Sequence, residues 1–317
     1  MKQKTILIGL GRIGWQLEHD DRRYHPCTHA GTIKALDTHF DLIAVCDRNP
    51  EKIQKFLDWW GDNKIYTTTS YQNLPYKEAD LIVITTGPKS HKEILTFFLK
   101  KGKTKFMVEK PIAYSTREIE EIKKLYQTQE IQIYINFERR YHNYYRKVKE
   151  IIDRKTFGEF LSLEGKVFAK SIFHDPLLED GIHLIDLILW YVGFPEILYS
   201  YWETKNSLEI LSFHVLKKND IIVTIESGSK KKYFEFSLRL EFEKGRIQIG
   251  NDGLRVFRLA PSKRYRKFFE LQELKINLKK NNPWIDFYLS IYKNEKSNFA
   301  EAYEGIALYE NLLKFKK

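Results

Sequence analysis

Cysteine is almost missing from this chain: two residues in 317, Cys27 and Cys46, with no C-x-x-C pair between them. That scarcity excludes a disulfide framework and points to a reducing compartment, so the cytoplasm is expected. Long apolar runs are also missing. The longest, 181–194, is interrupted by His183 and Asp186, whereas a spanning helix needs about 20 uninterrupted apolar residues. The opening MKQKTILIGLGRIGW has a basic lead, but glycines break its apolar run and no small-residue cleavage site follows, so no secretory signal is expected. There is no internal repeat, low-complexity linker or heptad pattern. A net charge of +11 is spread over scattered lysines. Without a compact basic helix or aromatics set between arginines, no nucleic-acid surface is expected, although a positive field favours anionic ligands.

What is present is a balanced globular composition, 43% hydrophobic and 30% charged, long enough for a large core and for two domains. Residues 4–8, KTILI, read as a buried strand that runs directly into Gly9-Leu10-Gly11-Arg12-Ile13-Gly14. In a G-x-G-x-x-G loop the first glycine makes the tight turn and the second lets the backbone approach a pyrophosphate. The third lets the next helix pack, with its N-terminus facing the phosphates. A second strand, 41–46, ends on Asp47, where a carboxylate suits an adenosine ribose. That Asp repels a 2′-phosphate and favours NAD, while Arg48 beside it can clasp one, which leaves NADP open. The separation from the loop exceeds the usual one, and the extra residues, 18–32, read as a solvated insertion bulging from the first helix. His25 and His29 within it are candidates for touching a substrate.

Strand and helix patterns then alternate to about residue 136, through the strands ADLIVITT, KFMVEKP and IQIYINF. This predicts an α/β protein whose first domain, 1–136, is a doubly wound parallel sheet binding its ligand at the C-terminal strand ends. Gly11, Asp47, Thr86 and Lys110 all fall there. From 137 to 317 strands dominate and hairpin signals (KKND, SGSKKK, EKGR, NDG) separate them. An α+β second domain with a large, mostly antiparallel open sheet is expected. Its stretch EDGIHLIDLILWYVG places His183 at the mouth of an apolar helix, as core residue, ligand or base.

GLGRIG, VEKP and GIHLID, in this order, make the chain resemble the family of glucose-fructose oxidoreductase, inositol 2-dehydrogenase and the rhizopine-catabolism dehydrogenases. The resemblance implies an NAD(P)-dependent oxidoreductase with a Rossmann domain and a substrate-binding, oligomerising second domain. It implies that Lys110 of VEKP points at the substrate carbon near the nicotinamide. In the family the second domain's first long helix opens with an Asp, then Gly two residues on and His four residues on; His183 and Gly181 match, and Glu179 replaces the Asp, with Asp180 beside it. Thr86 and His91 of TTGPKSHKE carry over as cofactor-side residues, as do Gly9, Gly11, Arg12, Ile13, Gly14, Asp47, Arg48 and Glu109. Gly87-Pro88 departs from the family's Pro-Asn. Asn136 and Arg140 either reach a polar substrate or serve a domain junction.

Alcohol oxidation requires a base for the hydroxyl proton as hydride leaves the same carbon. His183 suits that role and Lys110 suits stabilising the alkoxide charge, with Glu109 and Glu179 or Asp180 tuning both; Lys110 as proton donor is the alternative assignment. Glu179 and His183 would share a face if both are helical, or Asp180 would cap the helix at Ile182 or His183. A metal at His174, Asp175, Glu179 and His183 lacks any H-E-x-x-H or thiolate signature, so none is expected. A non-catalytic NAD(P) sensor of the same fold would be expected to lose Lys110 or His183. The family's substrates imply a sugar, cyclitol or nucleotide sugar, and an open aromatic sheet implies a homodimer or homotetramer through it.

Overall fold

The computed structural model describes residues 1–62, 64–103, 105–125, 130–169, 176–205 and 208–316, the side chain of Leu208 excepted. The chain forms two compact units, Met1–Glu138 with Asn282–Tyr303, and Arg139–Asn281 with Glu304–Lys317. A single cut after 136 therefore differs from the structure in its C-terminal part, where 282–303 joins the first unit.

In the first unit, β1 (Gln3–Ile8), β2 (Phe40–Cys46), β3 (Tyr66–Thr68), β4 (Leu81–Ile84), β5 (Lys105–Val108) and β6 (Gln132–Ile135) form one sheet in the order β3-β2-β1-β4-β5-β6, every pair parallel. All four residues of β4 are fully buried, as a strand covered on both faces requires. Each contributes on the order of 1.5–3 kcal/mol as an upper estimate. The connecting helices are α1 (His29–Ala35), α2 (Pro50–Trp60), α3 (His91–Lys100) and α4 (Thr116–Lys124). Asn49 caps α2 and Ser115 caps α4, each side chain accepting an N–H of the first turn. The expected first helix is not continuous from the glycine loop. Only a 3-10 turn at Gln16–His19 follows it, and the helix proper starts at His29.

In the second unit, β7 (Phe160–Phe168), β8 (Glu196–Lys205), β9 (Leu208–Lys218), β10 (Ile221–Gly228), β11 (Glu235–Phe242), β12 (Gly245–Gly250), β13 (Gly253–Pro261) and β14 (Phe269–Leu274) order as β14-β13-β12-β11-β7-β10-β9-β8. All neighbours are antiparallel except β7 and β10. The SGSKKK stretch is not a hairpin: β10 and β11 lie on either side of β7, so this connection crosses over that strand. One face is apolar, with Leu163, Val167, Val223, Ile225, Leu238, Leu240, Ile247 and Ile249 buried. α5 (Asn143–Asp153), α6 (Pro176–Glu179) and α7 (Ile182–Val192) pack in this unit. Gly165 admits Leu184 of α7, whose Cδ1 would be 2.6 Å from a Cβ there. The opposite face mixes ion pairs such as Lys166–Glu164 and Arg246–Glu241 with exposed Tyr199, Tyr201, Phe213 and Ile222.

The chain ends with α8 (Pro283–Tyr292) and α9 (Phe299–Leu313). α8 returns to the first unit, where Tyr288 packs edge-on against Phe40 of β2. Among the described residues no helix is long and apolar enough to cross a membrane.

Candidate active site

The five long parallel strands of the first sheet end in step. Ile8 pairs with Cys46 and with Ile84, Ile84 with Val108, and Val108 with Ile135. The ladder continues one residue further: Gly9, Thr85, Glu109 and Asn136 each donate an N–H to the last carbonyl of the neighbouring strand. Parallel pairing thus sets Asp47, Gly9, Thr85, Glu109 and Asn136 along one edge, with the glycine loop, Thr86 and Lys110 just beyond.

Three glycines of the loop do different work. Gly9 has φ +102°, and a Cβ on it would lie 2.7 Å from the Thr86 nitrogen. On Gly14 a Cβ would lie 2.3 Å from the Gly9 carbonyl oxygen. Those two allow the chain to fold on itself. A Cβ on Gly11 would meet nothing within 4 Å, so this glycine keeps open a face toward whatever binds outside. Asp47 Oδ2 accepts the Leu10 N–H at 2.8 Å and Oδ1 the Asn49 N–H at 2.9 Å, which fixes the carboxylate beside the loop. Arg48 is exposed. The open approach at Gly11 and the fixed acid at Asp47 fit a dinucleotide; in the same loop Arg12 is exposed and Ile13 half-buried.

At the ends of β4 and β5, Thr85 Oγ1 donates to the Gly9 carbonyl at 2.6 Å, and Thr86 Oγ1 accepts from Ser90 Oγ at 2.8 Å. The buried ring of His91 sits 2.8 Å from both the Thr86 and the Pro111 carbonyl oxygens, tying the two strand ends together. Burial pulls this imidazole below its ordinary 6.5, against the two carbonyls and the charge of Glu109, which favour the cation. His91 is thus a brace behind the cofactor side.

Glu109, expected on the cofactor side, has a buried carboxylate. It is 5% exposed. Its Oε1 faces His29 Nε2 at 2.7 Å and accepts from Asn136 Nδ2 at 2.6 Å, and Oε2 accepts the Lys110 N–H at 3.1 Å. His29 Nδ1 in turn lies 2.7 Å from the Tyr288 hydroxyl. Burial alone would raise the Glu109 pKa, but the bond and charge of His29, the charge of Lys110 and the Asn136 amide together hold it below 4.5. The solvated-insertion reading fails at His29, which is fully buried. Residues 29–35 are helix, and their first side chain reaches Glu109 at the end of β5. Asn136 is occupied by the same network. Lys110 follows Glu109 and is half-buried.

In the second unit the chain breaks between α6 and α7. The N–H groups of Asp180 and Gly181 both reach the Pro176 carbonyl, and Gly181 is the N-cap of α7 without any side-chain cap. Glu179 and His183 therefore do not share a continuous helix, and Asp180 does not cap it. A Cβ on Gly181 would lie 2.5 Å from the Leu177 carbonyl oxygen, so the tight junction needs glycine there. His183 stands in the first turn of α7 and is 7% exposed. One turn on, Asp186 pairs with Arg140, whose Nε and Nη2 reach Oδ2 at 2.9 Å and Oδ1 at 2.8 Å. Arg140 is thus tied to α7. Buried Glu209 anchors α6 by accepting the Leu177 N–H at 3.1 Å, and it also accepts the hydroxyls of Ser212 and Ser227. His174 and Asp175 of the rival metal reading lie outside the described residues.

Residues 4–137 match the sequence profile of an oxidoreductase family with an NAD-binding Rossmann fold, that of glucose-fructose oxidoreductase, inositol 2-dehydrogenase and the rhizopine-catabolism enzymes. The match is confined to the nucleotide-binding part of this chain. Among curated relatives, inositol 2-dehydrogenase/D-chiro-inositol 3-dehydrogenase of Lactiplantibacillus plantarum is 27% identical over 60% of this chain and 52% of its own. Inositol 2-dehydrogenase of Salmonella typhimurium is 24% identical over 61% and 55%. The chain spans about half the length of the curated relatives it matches. Over the whole fold, the WlbA dehydrogenase of Bordetella pertussis, solved with NADH and UDP-GlcNAcA, superposes with a TM-score of 0.78 at 18% identity, covering 99% of this chain and 96% of that one.

The family's motifs mark the glycine loop, Lys110 and His183 in the sequence, but not the residues that pack around Glu109 and α6. His29, Tyr288 and Glu209 come from distant sequence positions. Only the pairing of a buried-type residue with a polar head, as in THAGTI and DFYLSIY, could have flagged the first two.

Proposed function

We propose that the protein is an NAD(P)-dependent dehydrogenase acting between a secondary alcohol and the corresponding ketone of a cyclitol, sugar or nucleotide sugar. The observation that carries this reading is the register of the strand ends, which sets the glycine loop, Asp47, Thr86 and Lys110 along one edge of a single sheet. The backbone at Gly11 would meet the pyrophosphate, and Asp47 would hold the adenosine ribose, favouring NAD over NADP. When bound, the cofactor supplies a hydride acceptor or donor at its nicotinamide. His183 takes the hydroxyl proton of the alcohol, and the Lys110 ammonium stabilises the alkoxide charge as it develops. Glu109, fixed by His29 and Asn136, adds a buried negative charge beside the Lys110 backbone and keeps that lysine oriented. The inositol dehydrogenase relatives and the sugar-nucleotide complex of the Bordetella pertussis neighbour support the substrate class. Self-association through the open face of the second sheet, where Tyr199, Tyr201 and Phe213 are exposed, belongs to the same reading.

The deciding experiment follows the fluorescence of the six tryptophans during titration with NAD, NADH, NADP and NADPH, in wild type and in Lys110→Ala. Turnover is then measured with myo-inositol and UDP-sugars. Saturable binding by both proteins, with turnover only in wild type, is the expected result. Absence of binding by all four nucleotides overturns the proposal.

A further inference from the structure

Glu18, His25 and Cys27 lie between the glycine loop and α1, in a segment that neither the nucleotide-binding residues nor the Glu109 network uses. Glu18 Oε1 is held by the Cys27 N–H at 2.8 Å and the Thr28 hydroxyl at 2.7 Å. Gly31 makes room for it, since a Cβ there would lie 2.1 Å from that oxygen. So fixed, the carboxylate presents Oε2 to His25 Nδ1 at 2.7 Å. Cys27 Sγ lies 3.8 Å from the same nitrogen and donates to the Leu17 carbonyl at 3.3 Å. A carboxylate oxygen, an imidazole nitrogen and a sulfur thus gather within 4.8 Å of one another. The side chain of Glu18 is 8% exposed and that of His25 37%, so the cluster is walled on the Glu18 side and open on the His25 side.

We propose that Glu18 Oε2, His25 Nδ1 and Cys27 Sγ bind a divalent transition-metal cation of the zinc type, with water completing the shell. A mixed S, N, O donor set selects borderline ions and rejects calcium and magnesium, which take oxygen ligands. A tetrahedral zinc shell places its nitrogen and sulfur ligands roughly 3.5 Å apart and its nitrogen and oxygen ligands roughly 3.3 Å apart. The Nδ1 to Sγ separation is already close to that. The Nδ1 to Oε2 separation must open by about half an ångström, which the exposed His25 ring can supply. On binding, the thiol proton leaves to solvent, the neutral His25 ring carries its one proton on Nε2 so that Nδ1 is free to ligate, and no electron is transferred. The Thr28 hydroxyl and Cys27 N–H then act as supports that hold a ligand in place, as outer hydrogen bonds do at metal sites. Thr28 also caps α1 by accepting the Gly31 N–H at 3.1 Å. The cation would therefore fasten the segment after the glycine loop to the start of α1, two residues before His29.

Chelator-treated full-length protein titrated with cobalt(II) tests this. The expected result is a thiolate-to-cobalt charge-transfer band that saturates at one equivalent and is displaced by zinc. It should vanish in Cys27→Ser, persist in Cys46→Ser, and need at least about tenfold more cobalt in His25→Ala. The exposed His25 ring makes that variant the one least exposed to a folding defect. No saturable band in wild type, a full band in Cys27→Ser, or unchanged affinity in His25→Ala would each overturn the site.

Discussion

His29 Nε2 and Glu109 Oε1 face each other at 2.7 Å with both side chains almost wholly out of solvent. One comes from the start of α1 and the other from the residue after β5, so the pair joins the resumed first helix to the strand end that carries Lys110. Removing one partner of a buried hydrogen-bonded pair leaves the other stranded in a dry site. His29→Ala should therefore lower unfolding free energy by about 3 kcal/mol in urea titration and reduce kcat more than it weakens nucleotide binding. An equal loss in an exposed control such as His19→Ala, together with unchanged kcat in His29→Ala, would show the pair to be ordinary packing.

The acid side of the stability curve follows from the same residues. Glu109 is held below 4.5 in the folded protein. A depressed carboxylate contributes stability that is present above the unfolded value and lost as pH falls through the folded one. His91, lowered from 6.5 by burial, has the same sign and begins to weigh on stability below 6.5. Stability should thus decline in two stages on acidification. Glu109→Gln should flatten the stage below 4.5 and leave the one above it, as read from urea midpoints across pH.

The glycine loop separates scaffold from binding. Gly14→Ala would force a methyl against the Gly9 carbonyl at 2.3 Å, backbone against backbone, whereas Gly11→Ala meets nothing within 4 Å. Gly14→Ala should cost about 2–3 kcal/mol of stability. Gly11→Ala should melt like wild type yet bind NADH at least about tenfold more weakly, because its methyl would fill the approach reserved for the pyrophosphate. Thermal melting and fluorescence titration of the two variants distinguish these outcomes; wild-type affinity in Gly11→Ala would remove the loop from the nucleotide site.

Local pattern made the first unit readable. Short apolar strands alternating with capped helices leave few ways to fold, and β4, LIVI, is buried at every position as its composition demands. The motif residues could be placed because backbone chemistry fixes them: a glycine where φ is +102°, an acid closing a strand. What could not be read are contacts across long sequence separations. Tyr288 meets His29 from 259 residues away, and no period or spacing encodes that. The second sheet was legible strand by strand, but the order β11-β7-β10 was not, since the turn residues of SGSKKK suit a crossover as well as a hairpin. Of the two arrangements open at the start of α7, a helix shared by Glu179 and His183 or a cap at Asp180, the structure has neither, for a local reason: the close Gly181 to Leu177 approach.

Cofactor choice rests on two neighbours with different anchorage. Asp47 is fixed by two backbone N–H groups, while Arg48 is exposed and carries no such restraint. Arg48→Glu should therefore weaken NADPH by at least about tenfold and leave NADH within about threefold. Equal weakening of both nucleotides would place Arg48 on the adenine rather than on a 2′-phosphate.

Glu209 offers a test confined to the second unit. Fully buried, it accepts the Leu177 N–H and the hydroxyls of Ser212 and Ser227. The N–H it holds belongs to α6, one tight turn before Gly181 and His183. Glu209→Ala strips three buried donors of their acceptor and should cost about 3 kcal/mol. Glu209→Gln keeps a carbonyl oxygen and should restore most of that. Because the glycine loop and Asp47 belong to the other unit, NADH affinity should stay within about twofold in both variants, while kcat falls in Glu209→Ala as the junction before His183 loosens. A stability loss without any change in kcat would confine Glu209 to packing. A loss of NADH binding in the folded variant would contradict the assignment of nucleotide contacts to the first unit alone.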